Sequence, residues 1–90
     1  YIAAEENYII VHYVDNGVAK TATIRNTMKS QESICDSGTF IRVHRSYIVN
    51  PKHVKQLRKD PDGFYFADMD AEGAAIPVSK RYLKSIDALL

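Results

Sequence analysis

The 90-residue chain contains one cysteine, no tryptophan, three prolines and four glycines, and each scarcity removes a class of protein. A lone thiol, Cys35, closes no internal disulfide and meets no second cysteine at zinc-ligand spacing, so an apolar core has to hold the fold by itself. Apolar runs stay short, Ile9-Ile10-Val11 being typical, whereas a membrane span needs about 18 residues. No basic-then-apolar leader is readable at the start, and with a single unpaired thiol the expected setting is the reducing cytoplasm, without membrane contact by this segment. The glycines Gly17, Gly38, Gly63 and Gly73 stand singly in separate turn-like stretches and build no phosphate cradle.

Catalytic and metal-binding constellations are equally sparse. His12 falls in an apolar stretch, where a packed or surface imidazole is a simpler reading than a catalyst, and Cys35 reads as a small buried hydrophobe. Asp68, Asp70 and Glu72 alternate in a loop, but the acidic ligand that closes a calcium loop at its twelfth position is absent, and solvated turn acids are the simpler reading. Neither an enzyme nor a cofactor is expected.

Charge of one sign is also lacking in the total, which is only +1, yet the distribution is uneven. Residues 1–41 carry three bases and five acids, whereas residues 42–90 carry nine bases and six acids. Six bases and no acid fall between Arg42 and Lys59, and Lys80, Arg81 and Lys84 form a second basic group. Brought together, these segments make a positive face that attracts polyanions, nucleic acid first; kept apart, they are ordinary solubilising charge.

What is present is the composition of a folding domain, 46% hydrophobic and 26% charged, with room for one core. Residues 7–14 are rich in β-branched and aromatic types, as a strand buried along most of its length would be. Asp15-Asn16-Gly17 supplies the positive φ of a tight hairpin, and residues 18–24 return. Met28, Gln31, Ile34 and Cys35 put an apolar stripe on a short helix that Gly38 ends. Residues 40–44 alternate bulky and basic side chains into a turn at Arg45-Ser46, and Tyr47-Ile48-Val49 is an apolar block before Asn50-Pro51. Residues 54–58 and 64–69 flank the turn Asp60-Pro61-Asp62-Gly63 as a second hairpin. After the turn Asp70-Ala71-Glu72-Gly73, residues 74–78 form a strand in which Pro77 requires an edge or an end. Ser79 then stands as cap of a terminal helix with Tyr82, Leu83, Ile86, Leu89 and Leu90 on one face. The expected class is mainly β, with five to seven short strands, a short middle helix and a C-terminal helix.

Polar and basic residues gather at strand ends, in Glu5-Glu6-Asn7, His44-Arg45-Ser46 and Lys80-Arg81. Arginine reads guanine edges bidentately, asparagine reads adenine, and serine or a helix start binds phosphate, so loops of this kind on a rigid β scaffold suit a DNA groove.

The string Phe40-Ile41-Arg42-Val43-His44-Arg45-Ser46-Tyr47-Ile48-Val49-Asn50 resembles the central motif of the LytTR-type DNA-binding domain found at the C-terminus of many bacterial response regulators. Residues 1–8 resemble the family's opening, Thr27-Met28 its short helix and residues 76–83 its closing motif, in order and approximate spacing. The resemblance implies antiparallel β-sheets in an elongated, sandwich-like arrangement whose loops, rather than a recognition helix, meet double-stranded DNA. Matched residue by residue, Glu6, Asn7 and Tyr8, then His44 and Arg45, then Lys80 and Arg81 stand at the three positions by which the family meets DNA. Arg45 and the Lys80/Arg81 pair lead this set; Asn7 joins Arg45 in reading bases, while Ser46, Lys52 and Lys80 position phosphates. The resemblance further implies that residues 1–90 are one such domain from a longer regulator of a two-component system, without the family's first strand. Its expected partners are repeated DNA sites, an upstream receiver or other regulatory domain, and a second copy in a homodimer.

Two other readings are open to the same residues. A protein-interaction module that keeps the fold without binding DNA would scatter Arg45, Lys52 and Lys80/Arg81 over different faces. A reader of single strands would expose Tyr8, Tyr65 and Tyr82 as stacking platforms.

Overall fold

The computed structural model describes residues 1–70 and 73–88. Strands β1 (Ile2–Glu5), β2 (Tyr8–Asp15) and β3 (Val18–Arg25) form a meander, followed by helix α1 (Met28–Gln31) and a 3-10 segment at Glu32–Ser37. Strands β4 (Ile41–His44) and β5 (Tyr47–Val49) form a hairpin, and a 3-10 turn at Pro51–His53 leads into β6 (Val54–Lys59), β7 (Tyr65–Met69) and β8 (Ala75–Val78). A last 3-10 turn, Lys80–Tyr82, runs into helix α2 (Leu83–Asp87). One sheet has the order β3-β2-β1-β5-β4, the other β6-β7-β8, and every pairing is antiparallel. The mainly β expectation with two short helices holds. The two sheets measure 34 × 29 × 26 Å together with their helices, so the elongation is slight.

Period-two alternation places the larger sheet between two apolar layers. Val43 and Val49 point to one side, where they meet Ala67, Met69, Ile76 and Val78 of the smaller sheet and Ile86 of α2. Ile2, Ile9 and Ile48 point to the other, where Met28 of α1 closes a second cluster flanked by Ile34, Cys35 and Phe40. Ile48 and Val49, adjacent in sequence and both fully buried, therefore serve opposite clusters. Burial pushes the Cys35 thiol above its ordinary range, with the Glu32 carboxylate adding to the effect, so the thiolate is disfavoured.

Turn chemistry follows the sequence closely. Asn16 and Gly17 hold φ of 52° and 77°, and the hairpin register runs without a break from Asp15↔Val18 to Tyr8↔Arg25. Asn50 accepts the Lys52 N–H with its side chain at 3.1 Å, and Gly38 takes the left-handed cap with φ 79°. Pro77 lies on β8, an edge strand, where its missing N–H costs no ladder bond. Asp68 sits beneath Arg58 and Gln56, whose hydrogen bonds, Arg58 first, hold its carboxyl below the ordinary range.

Four expectations are corrected. The second strand is buried only near its start, at Ile9, while Tyr13 and Val14 are exposed, because β2 and β3 extend past the layers that cover β1 and β5. Tyr47-Ile48-Val49 is a strand rather than a bare apolar block, which brings the strands of the described residues to eight. Ser79 stands at the helix start but its side chain makes no capping bond; its carbonyl instead accepts the Tyr82 N–H at 2.9 Å, closing a 3-10 turn. The terminal helix is correspondingly short, with Ile86 fully buried; the expected Leu89 and Leu90 contacts lie outside the described residues, as do Ala71 and Glu72 of the last turn.

Candidate nucleic-acid interface

Three loops meet at one end of the two sheets through backbone hydrogen bonds. The β4–β5 turn is tied to β1 where the Ala4 N–H donates to the Ser46 carbonyl at 2.8 Å. Two residues further on, the β1–β2 turn carries Glu6 and Asn7, and Asn7 accepts the Asn26 N–H at 3.1 Å through its carbonyl. From the smaller sheet, the Ser79 N–H donates to the Val43 carbonyl at 2.9 Å, which sets Lys80 and Arg81 beside the same β4–β5 turn.

Arg42 holds that turn from beneath. Its Nη1 meets Glu32 Oε1 at 2.7 Å, its Nε donates to the His44 carbonyl at 3.2 Å, and its Nη2 donates to the Arg45 carbonyl at 2.8 Å. The turn is locked from inside as well, since the Ser46 N–H donates to His44 Nδ1 at 3.1 Å. That bond requires an unprotonated Nδ1, which leaves Nε2–H as the donor of the neutral ring. Burial, reinforced by the Arg45 and Arg42 guanidinium groups, holds His44 below the ordinary histidine pKa.

Arg45 itself is exposed, and its guanidinium has no ion-pair or hydrogen-bond partner among the described residues. Lys80 is likewise exposed and unpaired among them, while Arg81 lies 5.4 Å from the Tyr82 ring centroid, on the same ring that Arg42 approaches at 5.9 Å. Glu6, Asn7 and Tyr8 are exposed, and Glu6 holds φ of 51°, a left-handed conformation that costs a residue with a side chain about 1–2 kcal/mol. The orientation of this turn is thus imposed by the strands on either side.

Two parts of the sequence reading change. Lys52 lies in the 3-10 turn beyond the far end of β5, about 13 Å from the Arg45-Ser46 turn at strand rise, and is not brought to the cluster. The Arg42–Lys59 basic run is not one face either, because Arg42 is engaged by Glu32 and Arg58 by Asp68. Arg25 was missed: it is exposed and pairs in register with Tyr8, at the loop end. Counting back from the Asn16-Gly17 turn would have found it, since a two-residue turn fixes each cross-strand partner.

Stacking platforms for single strands are poorly supplied. Tyr8 is 47% exposed, but Tyr65 and Tyr82 are partly buried and covered, Tyr65 by Lys59 and Tyr82 by Arg81. Groups of three or more His, Cys, Asp or Glu able to hold a metal ion are absent among the described residues. No helix of the described residues is long and apolar enough to cross a membrane.

Known proteins resemble this chain in sequence and in overall fold. The chain is 31% identical over 90 residues to the sensory transduction protein LytT of Bacillus subtilis, covering all of this chain and 35% of that protein. It is 32% identical over 74 residues to the transcriptional regulatory protein BtsR of Escherichia coli, covering 82% of this chain and 29% of that one. The chain therefore spans about a third of the length of these relatives. A solved LytTr DNA-binding domain from Bacillus cereus superposes with a TM-score of 0.75 at 28% identity, over 98% of this chain and 76% of that one. The family model for the LytTr DNA-binding domain matches residues 1–90, and the chain belongs to that family of DNA-binding, non-catalytic regulatory domains.

Proposed function

We propose that residues 1–90 form the DNA-binding effector domain of a longer bacterial transcriptional regulator of the two-component type, reading double-stranded DNA through loops. The observation that carries this reading is the convergence of the Glu6-Asn7, Arg45-Ser46 and Lys80-Arg81 segments at one end of the sheets, with Arg45 and Lys80 unpaired among the described residues. In this reading Arg45 and Asn7 address base edges in the major groove, and Glu6 accepts from a cytosine amino group. Ser46, Lys80, Arg81 and the added Arg25 bind phosphates, His44 offers its Nε2–H, and Tyr8 packs beside the β1–β2 turn.

Separate loops reaching successive major-groove segments would bend the duplex where their spacing requires it. A chain with a net charge of +1 binds weakly as one copy, so repeated sites and a homodimer, paired by an upstream receiver or other regulatory domain, raise affinity through effective concentration. The work is done in the cytoplasm, where the genome is accessible. Selection from a random duplex pool tests the reading: an enriched motif supports it, and a pool that stays random, even with two tethered copies, contradicts it.

A further inference from the structure

The β6–β7 turn lies at the same end of the molecule as the three loops, because Tyr65 pairs with Val78 immediately before Ser79 and Lys80. Phe64, at the close of this turn, is 65% exposed, the highest value among the large exposed hydrophobics of the described residues. Its backbone is held firmly. Asp60 Oδ1 accepts the N–H groups of Asp62 and Phe64 at 3.0 and 2.9 Å, and the Phe64 carbonyl accepts the Asp60 N–H at 2.8 Å. Gly63 takes φ of 89°, a conformation that residues with side chains rarely adopt. The ring is thus displayed by a fixed turn and contributes little to the chain's own core.

Phe64 borders a shallow, mainly apolar concavity of about 350 Å³ whose wall continues through His44, Ser79 and Lys80. Lys59, the register partner of Tyr65, lays its ammonium 5.5 Å from the Tyr65 ring centroid and adds a cation beside the turn. An apolar ring continuous with the candidate interface and flanked by Lys59 and Lys80 fits a surface that is apolar in patches and anionic at its margins.

We propose that Phe64 packs against the apolar edge of the bound duplex beside the phosphates that Lys80 binds, making the β6–β7 turn a further DNA contact outside the three loops. This rests on the DNA-binding reading given above. Duplex DNA offers apolar carbon in two forms at a groove margin, the thymine C5-methyl and the deoxyribose ring. Asp62, exposed in the same turn, then lies near phosphates and weakens binding by repulsion.

Fluorescence anisotropy on the selected duplex tests the contact, with thymines replaced one at a time by deoxyuridine and Arg45→Ala as the reference variant. Phe64→Ala is expected to bind about five- to tenfold more weakly with an unchanged salt slope, because an apolar contact releases no counterion. Phe64→Leu should keep most of the affinity, and Asp62→Asn should gain about two- to threefold. A deoxyuridine loss at one position that disappears in Phe64→Ala assigns the contact to a thymine methyl; no deoxyuridine loss alongside a weakened Phe64→Ala assigns it to deoxyribose. Full affinity of Phe64→Ala where Arg45→Ala has lost binding overturns the contact and leaves the DNA reading standing. Absence of selective binding by the unaltered chain removes both. A changed oligomeric state of Phe64→Ala at unchanged DNA affinity makes the ring a protein contact and also overturns the proposal.

Discussion

Arg42 Nη1 meets Glu32 Oε1 at 2.7 Å while the rest of the same guanidinium donates to the His44 and Arg45 carbonyls, so a charge that sequence reading assigns to a basic face is a strut under the β4–β5 turn. Three acceptors in different directions need a planar fork, which lysine lacks. Arg42→Met is expected to lower stability by about 1–3 kcal/mol, with Arg42→Lys recovering little of it. Glu32 is half exposed, so Glu32→Gln should cost less than about 1 kcal/mol. Urea denaturation of the three variants gives these values; an unchanged midpoint for Arg42→Met would remove the strut.

His44 makes the turn pH-sensitive. Its folded-state pKa is held below the ordinary histidine value by burial and then by Arg45 and Arg42, so the unfolded chain binds the proton more readily. The contribution is fully present above that unfolded value and is lost as the pH falls below it, until the folded ring also protonates. Stability should therefore decline as the pH falls below the ordinary histidine range, and level off once the folded ring protonates. His44→Asn keeps an acceptor near the Ser46 N–H without titrating, and should flatten that part of the profile in thermal melts across the range. An equal slope in the variant would assign it to another group.

The two-sided burial of the larger sheet gives a paired expectation. Ile48 and Ile86 are both fully buried but belong to different clusters, so Ile48→Ala and Ile86→Ala should each cost about 2–4 kcal/mol. With no shared cavity, their effects should add in the double variant, provided it remains folded enough for denaturant titration. Coupling well beyond about 0.5 kcal/mol would show that the layers do not respond independently.

Lys52 and Arg45 separate the loop-end interface from general charge attraction. Arg45→Ala should cost about 1–3 kcal/mol on the selected duplex and relax preference at one position. Lys52→Ala, beyond the far end of β5, should leave both affinity and preference nearly unchanged. Equal losses from both, measured by titration of matched duplexes, would mean that the duplex lies along the sheet rather than across its end.

Much of the fold was legible because local chemistry and tertiary structure agree. Asn16-Gly17 fixed one hairpin, Asp60–Gly63 another, and Pro77 correctly marked an edge. The three-residue strand Tyr47–Val49 was less legible because so short an apolar run shows no period. Its strand character comes from pairing with β1 and β4. Burial of β2 was overread for a related reason: β-branched and aromatic content reports strand preference, while coverage depends on layers far away in sequence. In the candidate site, the motif singles out Arg45, Lys80 and Arg81, and the Ser79–Val43 backbone bond sets them beside one another. Arg42's pairing with Glu32 and the remoteness of Lys52 depend on tertiary placement, which charge counting along the chain does not see.

The most direct measurement is anisotropy of the chain on its selected duplex and on a scrambled one over a salt series, with Arg45→Ala alongside. The expected result is a steep salt slope on both duplexes and a preference for the selected site that shrinks in Arg45→Ala. Equal binding to selected and scrambled duplexes, unaffected by the Arg45 substitution at every salt concentration, would contradict the account.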